Sequence, residues 1–272
     1  IFFNNSSLES KPFDPDISLN TPESGVVLSQ TTTPAVKVTQ PVRIGAGESS
    51  PNFLGKAALV VDATSSAVLF EKNSQEKLPP ASLTKLMTAL LILENKPLDQ
   101  VVTVSDYCTK VDGLKVGFLP GQKFTLDEVL KALLLPSAAD AACVLAESVE
   151  AGQASPSARF VEKMNQRAAA LGLIQTNFTN PAGLDGPNGG HYSTAADLLT
   201  LINQDLKYEK FQEIVGLKSV QIWNLDATKS LNLKNTNELL SKDAGFKGIK
   251  TGYTEKALGC LAFLYEKDGH QI

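Results

Sequence analysis

A serine and a lysine stand three residues apart at the head of an apolar run, P-P-A-S-L-T-K-L-M-T-A-L-L-I, residues 79–92. Pro79 and Pro80 end what precedes, Ser82 is placed to cap a helix, and Leu83, Leu86, Met87, Leu90, Leu91 and Leu93 fall on one helical face. The usual companion of a capping serine is a glutamate three residues on, which suits the positive end of the helix dipole. Lys85 has the opposite charge. In the first turn it meets the partial positive charge of free N–H groups, at a cost of ~0.3 to 1 kcal/mol, and the same field lowers its pKa. Side chains at i and i+3 share a face, so an amine kept neutral by burial can take the Ser82 proton and leave a nucleophilic oxygen. The plain alternative is a surface lysine after a capping serine, and Ser-x-x-Lys is too short to decide alone.

A second chemical stretch lies near the other end of the chain, K-G-I-K-T-G-Y-T, residues 247–254. It reads as an edge strand lining a cleft: Gly248 and Gly252 permit close backbone approach, while Lys250 and Thr251 direct a cation and a hydroxyl at one ligand, such as a carboxylate. Taken alone, it reads more readily as a strand ending in a glycine turn; together with Ser82 and Lys85 the balance reverses.

Composition excludes several classes. The 272 residues are 43% hydrophobic and 20% charged, with a formal net charge of -4, as in an ordinary globular protein. No basic run occurs and arginine appears only at Arg43, Arg159 and Arg167, so nucleic acid is not an expected partner. Cys108, Cys143 and Cys260 show no C-x-x-C spacing and His191 and His270 are the only histidines, which argues against a zinc site or a disulfide framework. Cys143 and Cys260, in apolar surroundings, are expected to be inert buried thiols.

The elements that must position these residues follow from local signals. Residues 1–52, rich in Ser, Thr, Pro, Asn and Gly, read as a disordered linker, and residues 53–272 as the globular domain. The opening Ile-Phe-Phe suits the trailing edge of an apolar segment, an N-terminal anchor absent from this chain. Ala57–Asp62 and Ala67–Glu71 predict a strand hairpin, and Val101–Val104 a short strand. Thr125 with Glu128 forms a capping box for a helix that Pro136 stops before another begins, so two helices meet near Ser137. Further helices are expected over about Ser157–Leu171 and Thr194–Leu206, then strands over K-S-V-Q-I-W-N, S-L-N-L-K-N, G-I-K-T-G and A-L-G-C-L-A-F-L-Y-E. Strands at both ends with helices between them predict an α+β fold, its antiparallel sheet closed by chain-distant strands and carrying an inserted helical cluster. Asp268-Gly269 signals a hairpin turn into a returning strand that the sequence leaves unfinished, so that strand and a following helix are expected to be missing.

With S-L-T-K and K-T-G in this order, the chain from about Ala57 onward resembles the serine D-alanyl-D-alanine carboxypeptidases, low-molecular-mass penicillin-binding proteins. M-N-Q-R-A-A-A-L-G-L and N-P-A-G-L-D with H-Y-S-T-A-A-D-L are also similar to family segments. The resemblance implies a β-lactamase/transpeptidase-like fold, an extracytoplasmic location, no cofactor or metal, peptidoglycan stem peptides as substrates and β-lactams as covalent inhibitors. Ser82 would attack the penultimate carbonyl, Lys85 would act as base, Ser137 and Lys250 would pass a proton to the leaving amine, and Lys250, Thr251, Gly252 and Tyr253 would bind substrate. Backbone N–H groups of Ser82 and Tyr253 match the family's oxyanion-hole positions.

One position departs from the family. The middle motif is Ser-x-Asn, and P-S-A-A-D-A-A puts Ala139 where asparagine is expected. Asp140 cannot replace it, because one helical step turns a side chain by about 100°. A gap beside Ser82, Lys85 and Ser137 is therefore expected. The departure keeps a second reading open, a peptidoglycan- or penicillin-binding protein with weak or no turnover. A third, a class A β-lactamase, lacks its E-x-x-L-N loop, since Glu162 is followed by K-M-N-Q-R and reads as a solvated helix face.

Overall fold

A computed structural model describes residues 54–149 and 156–272, so the linker assigned to residues 1–52 lies outside the described residues. The predicted hairpin is present as β1 (Ala58–Val61) and β2 (Val68–Lys72), paired antiparallel with a register shift between Val60 and Val61. A 3₁₀ turn at Ala81–Leu83 leads into α1 (Thr84–Asn95). Ser82 does not cap this helix; Leu83 holds the cap position, and no side chain closes it. The reason is the bend one residue earlier, where Ala81 adopts φ 48° and draws Ser82 into the turn.

From Thr84 to Ile92 every residue of α1 is buried, polar ones included, so the helix runs through the core rather than over it. Leu86, Met87, Leu90 and Ile92 are wholly buried, each contributing roughly 1.5–3 kcal/mol of transfer free energy. Four helices pack on it: α2 (Leu126–Leu134), α3 (Ala139–Val149), α4 (Pro156–Ala170) and α5 (Ala195–Asp205). The Thr125–Glu128 capping box forms as predicted, and α2 and α3 meet across Leu135–Ala138 with Ser137 at φ 69°.

Short antiparallel ribbons surround this cluster. β3 (Val101–Thr103) pairs with β4 (Lys123–Thr125), a strand too short to read from pattern. A further helix without a sequence forecast, α6 (Glu209–Gly216), buries Phe211, Ile214 and Val215 and packs against β7 (Phe246–Thr254). Before β7 come β5 (Ser219–Trp223) and β6 (Ser230–Lys234), a hairpin. β7 is an edge strand whose ladder partner is β8 (Leu258–Lys267), and β8 also pairs with β9 (His270–Gln271) through the predicted Asp268-Gly269 turn. The Gln271 carbonyl accepts from Ala63 N at 2.8 Å, which is where the first and last strands of the domain meet. β7 and β8 both pack on the Ala81–Leu83 turn.

The cysteines depart from expectation. Cys108 and Cys143 form a disulfide that ties the turn at Cys108–Lys110 to the middle of α3. No local spacing announces it; the pairing exists because the chain folds back over a sequence separation of 35 and brings the two Cα atoms to 5.4 Å. Cys260 is a half-buried thiol whose burial pushes its pKa up to about 11, which leaves it unreactive.

Closing a loop of that length should stabilise the domain by about 2–4 kcal/mol. Alkylation of the denatured, unreduced protein should modify Cys260 alone, and the Cys108→Ser/Cys143→Ser double variant should unfold at lower denaturant. Three reactive thiols, or an unmoved midpoint, would refute the crosslink.

Candidate active site

Lys85 is the second residue of α1 and is 2% exposed. Its Nζ donates to Ser82 Oγ at 2.9 Å and to the Ala182 carbonyl at 2.5 Å. Burial lowers its pKa to about 7, against an opposing pull from the Asp140 carboxylate. Ser82, half-buried, thus faces an amine that is largely able to accept a proton near neutrality.

Lys250 is 1% exposed and donates to the Thr251 carbonyl at 3.0 Å. Burial first, and then the nearby charge of Lys85, hold it well below the usual lysine range. Gly252 is pressed against the Ser82 backbone, where a Cβ would come within 2.9 Å of Ser82 N. That contact requires glycine and sets the edge of β7 beside Ser82. Tyr253 follows, exposed, and the Thr251 hydroxyl lies 2.6 Å from the Thr236 hydroxyl. The structure thus sets β7, which carries Lys250, Thr251, Gly252 and Tyr253, beside the turn that carries Ser82 and leads to Lys85.

Ser137 stands at the junction of α2 and α3, its Oγ buried and without a hydrogen-bond partner. Asp140 points elsewhere, as the helical phase requires: its carboxylate accepts from the N–H groups of Val116, Gly117 and Phe118. Beside Ala139 opens a cavity of about 680 Å³, with Asn180 and Ala182 in its wall. Ser82, Lys85 and Ser137 do not line it, so it is not the gap expected beside them.

The segment that supplies this carbonyl, residues 179–193, carries the support that motif reading missed. Asn180 Oδ1 accepts from Ala182, Gly183 and Leu184 N–H at 2.8–3.1 Å, folding the loop on itself. Thr88 Oγ1 donates to the Pro181 carbonyl at 2.8 Å, and Ser193 and Leu78 exchange backbone bonds just before Pro79. His191 is buried; Thr179 N donates to its Nδ1, so Nε2 carries the proton and donates to Thr84 Oγ1 at 2.7 Å. The density of Asn, Pro and Gly in N-P-A-G-L-D-G-P-N-G-G-H-Y was the available signal.

Among the described residues, Cys108, Cys143 and Glu147 are the one group with metal-binding spacing, and two of its ligand atoms are bonded to each other.

A family profile described as D-alanyl-D-alanine carboxypeptidase matches residues 44–272. The chain belongs to that family. It is 37% identical over 212 residues to the D-alanyl-D-alanine carboxypeptidase DacF of Bacillus subtilis, a match covering 76% of this chain and 52% of the relative, so the chain spans about half of that protein's length. To the D-alanyl-D-alanine carboxypeptidase of Streptomyces sp. K15 it is 32% identical over 252 residues, covering 88% and 82%. The crystal structure of the Streptomyces K15 DD-transpeptidase superposes with a TM-score of 0.76 at 31% identity, covering 82% of this chain and 89% of that one. The fold of this D-alanyl-D-alanine carboxypeptidase family member is therefore the β-lactamase/transpeptidase fold of penicillin-binding DD-peptidases.

Two outcomes test the loop's role. Gly183 adopts φ +82°, and a Cβ there would stand 2.0 Å from the Ala81 carbonyl oxygen, so Gly183→Ala should cost more than ~3 kcal/mol and displace the Ala182 carbonyl from Lys85. A variant as stable as the parent would show that the loop does not clamp the Ser82 turn.

Burial lowers the His191 pKa to about 4, so between pH 6.5 and 4 the unfolded chain binds the extra proton and stability falls as pH drops through that window, by about 2 kcal/mol at pH 5. An imidazole NMR titration should find His191 neutral down to about pH 5. Protonation above pH 6 would contradict the assigned tautomer.

Proposed function

We propose that this chain is a serine D-alanyl-D-alanine carboxypeptidase acting on peptidoglycan stem peptides by two-step acyl transfer. The observation that carries this reading is the 2.9 Å contact between Ser82 Oγ and a buried Lys85 whose pKa lies near 7. Ser82 Oγ attacks the carbonyl carbon of the penultimate residue as its proton passes to Lys85 Nζ. The C–N bond then breaks, the terminal D-alanine leaves with a proton delivered through Ser137 and Lys250, and water hydrolyses the ester left on Ser82. The peptide lies along the free edge of β7, with the N–H groups of Ser82 and Tyr253 receiving the oxyanion; the close approach of Gly252 to Ser82 supports this pairing.

The chain works outside the cytoplasm, as the Cys108–Cys143 disulfide supports. No helix among the described residues is long and apolar enough to cross a membrane.

The unpartnered Ser137 hydroxyl and the methyl of Ala139 favour a second reading, in which acylation and turnover are slow and the chain acts mainly by binding. A class A β-lactamase is disfavoured: Glu162 is exposed on α4, and among the described residues no carboxylate is hydrogen-bonded to Ser82 or Lys85.

D-alanine release from a pentapeptide ending in D-alanyl-D-alanine separates the first two readings. A fluorescent penicillin should label Ser82, and Ser82→Ala should abolish both signals; an adduct on Ser137 would overturn the assignment. Only neutral Lys85 can take the proton, so acylation should fall about tenfold per unit below pH 7 and level off above it. A flat profile from pH 5 to 8 would remove Lys85 as the base.

Ala139→Asn should raise the acylation rate ~10- to 10³-fold, the range for restoring one preorganised polar contact. An unchanged rate would mean that the Ala182 carbonyl already does the work of the missing amide.

A further inference from the structure

A stem peptide ends in a carboxylate, and a carboxylate leaving water needs more than one donor. The described arginines and Lys250 are engaged elsewhere, and Lys218, Lys234 and Lys242 line a neighbouring pocket with Asn235 and Asn237. Of the described arginines, Arg159 and Arg167 both lie on α4, which packs on α1 and α3, and Arg167 is paired with Glu94. Lys250 is buried with its amine turned to a backbone carbonyl. What the cleft edge does present is two hydroxyls, Thr251 Oγ1 and Thr236 Oγ1, 2.6 Å apart.

Thr236 is exposed yet firmly held. Its N–H donates to the Leu135 carbonyl at 3.1 Å, two residues before Ser137. Its neighbour Asn235 is buried, donating through Nδ2 to the Val215 and Leu217 carbonyls at 3.2 and 2.9 Å, while Asn235 Oδ1 receives Asn237 N at 2.9 Å. Segment 235–237 is thus braced on one side and leaves Thr236 facing the other. With the cleft free, the two hydroxyls spend one proton on each other, and the remaining acceptor for Thr236 is the distant Leu135 carbonyl at 3.3 Å. An incoming carboxylate accepts both protons, one at each oxygen, so both donors gain a charged partner on binding.

We propose that Thr236 contacts substrate, its hydroxyl and that of Thr251 forming a neutral two-donor clamp on the terminal carboxylate. This rests on the carboxypeptidase reading of the same cleft. Because Leu135 anchors Thr236, the clamp also ties the carboxylate's position to the turn that carries Ser137.

The test compares two peptides, one ending in a free carboxylate and one in a carboxamide, on the full chain. Thr236→Val should raise KM and lower kcat/KM for the carboxylate peptide by about 10- to 100-fold, the range for loss of a hydrogen bond to a charged group. For the carboxamide peptide the loss should stay under about twofold, so the carboxylate preference collapses, while Thr236→Ser keeps it. Should the valine variant fail to fold, Thr236→Ala provides the same ratio. Equal losses on both peptides, or a serine variant as impaired as the valine one, would mean that Thr236 only braces β7, and the clamp would be wrong. A wild-type chain that neither releases D-alanine nor takes penicillin on Ser82 overturns the underlying reading and the clamp with it. A labelled, active wild type with an indifferent Thr236→Val overturns the clamp alone.

Discussion

Everything in the site depends on keeping one lysine dry. An amine in water near pH 7 is protonated and useless as a base; Lys85 is drawn away from that state because its carbon chain enters the core with α1 and its head meets only Ser82 Oγ and one carbonyl. The cost is thermodynamic: a group whose folded pKa lies below its unfolded value opposes folding at neutral pH, and stability should rise as pH climbs from 7 towards 10.5. The wholly buried aliphatic residues of α1 offset that cost. The helix is not amphipathic in the usual way, because its polar members, Thr84, Lys85 and Thr88, are buried as well and each finds a partner on residues 179–193.

That need explains why two distant segments press on Ala81–Ser82. Gly183 from one side and Gly252 from the other approach closer than any Cβ would allow, so the turn carrying Ser82 is gripped by the loop that holds Lys85 and by β7. The grip fixes the left-handed Ala81, and Ala81 in turn denies Ser82 the capping geometry that the local sequence suggests. A serine whose hydroxyl capped a helix would be spent as an acceptor for backbone N–H; here it is available to Lys85.

What could be read in the sequence was whatever is decided locally. The β1–β2 hairpin, the capping box at Thr125 and the Asp268-Gly269 turn each follow from a few adjacent residues, and each is where it was expected. The chemical residues were legible as types and spacings, because Ser82 to Lys85 and Lys250 to Gly252 are short-range patterns. Illegible were relations set by tertiary contact. The Cys108–Cys143 pair has no spacing rule, β4 is a strand only because β3 lies beside it, and Ala182 contributes a carbonyl, which every residue has. Thr236 was silent for the same reason, since a lone threonine after a strand signals nothing until Thr251 is seen beside it.

Ala139 and Asp140 show how far one helical step carries. Asp140 is turned from the cleft to gather the 116–118 backbone, and its charge, felt at Lys85, raises that amine's pKa against the pull of burial. Position 139 opens instead on the cavity shared with Asn180 and Ala182, so an acid there would set an anion beside the loop whose carbonyl meets Lys85. An alanine there leaves the amine's state to burial and to a neutral carbonyl. The same economy holds at the other end of the cleft, where Lys250 is itself held below the usual range and hydroxyls stand at the edge of β7. A site that holds two buried lysines below their usual range favours neutral donors nearby, because each fixed charge added beside them would shift both amines at once.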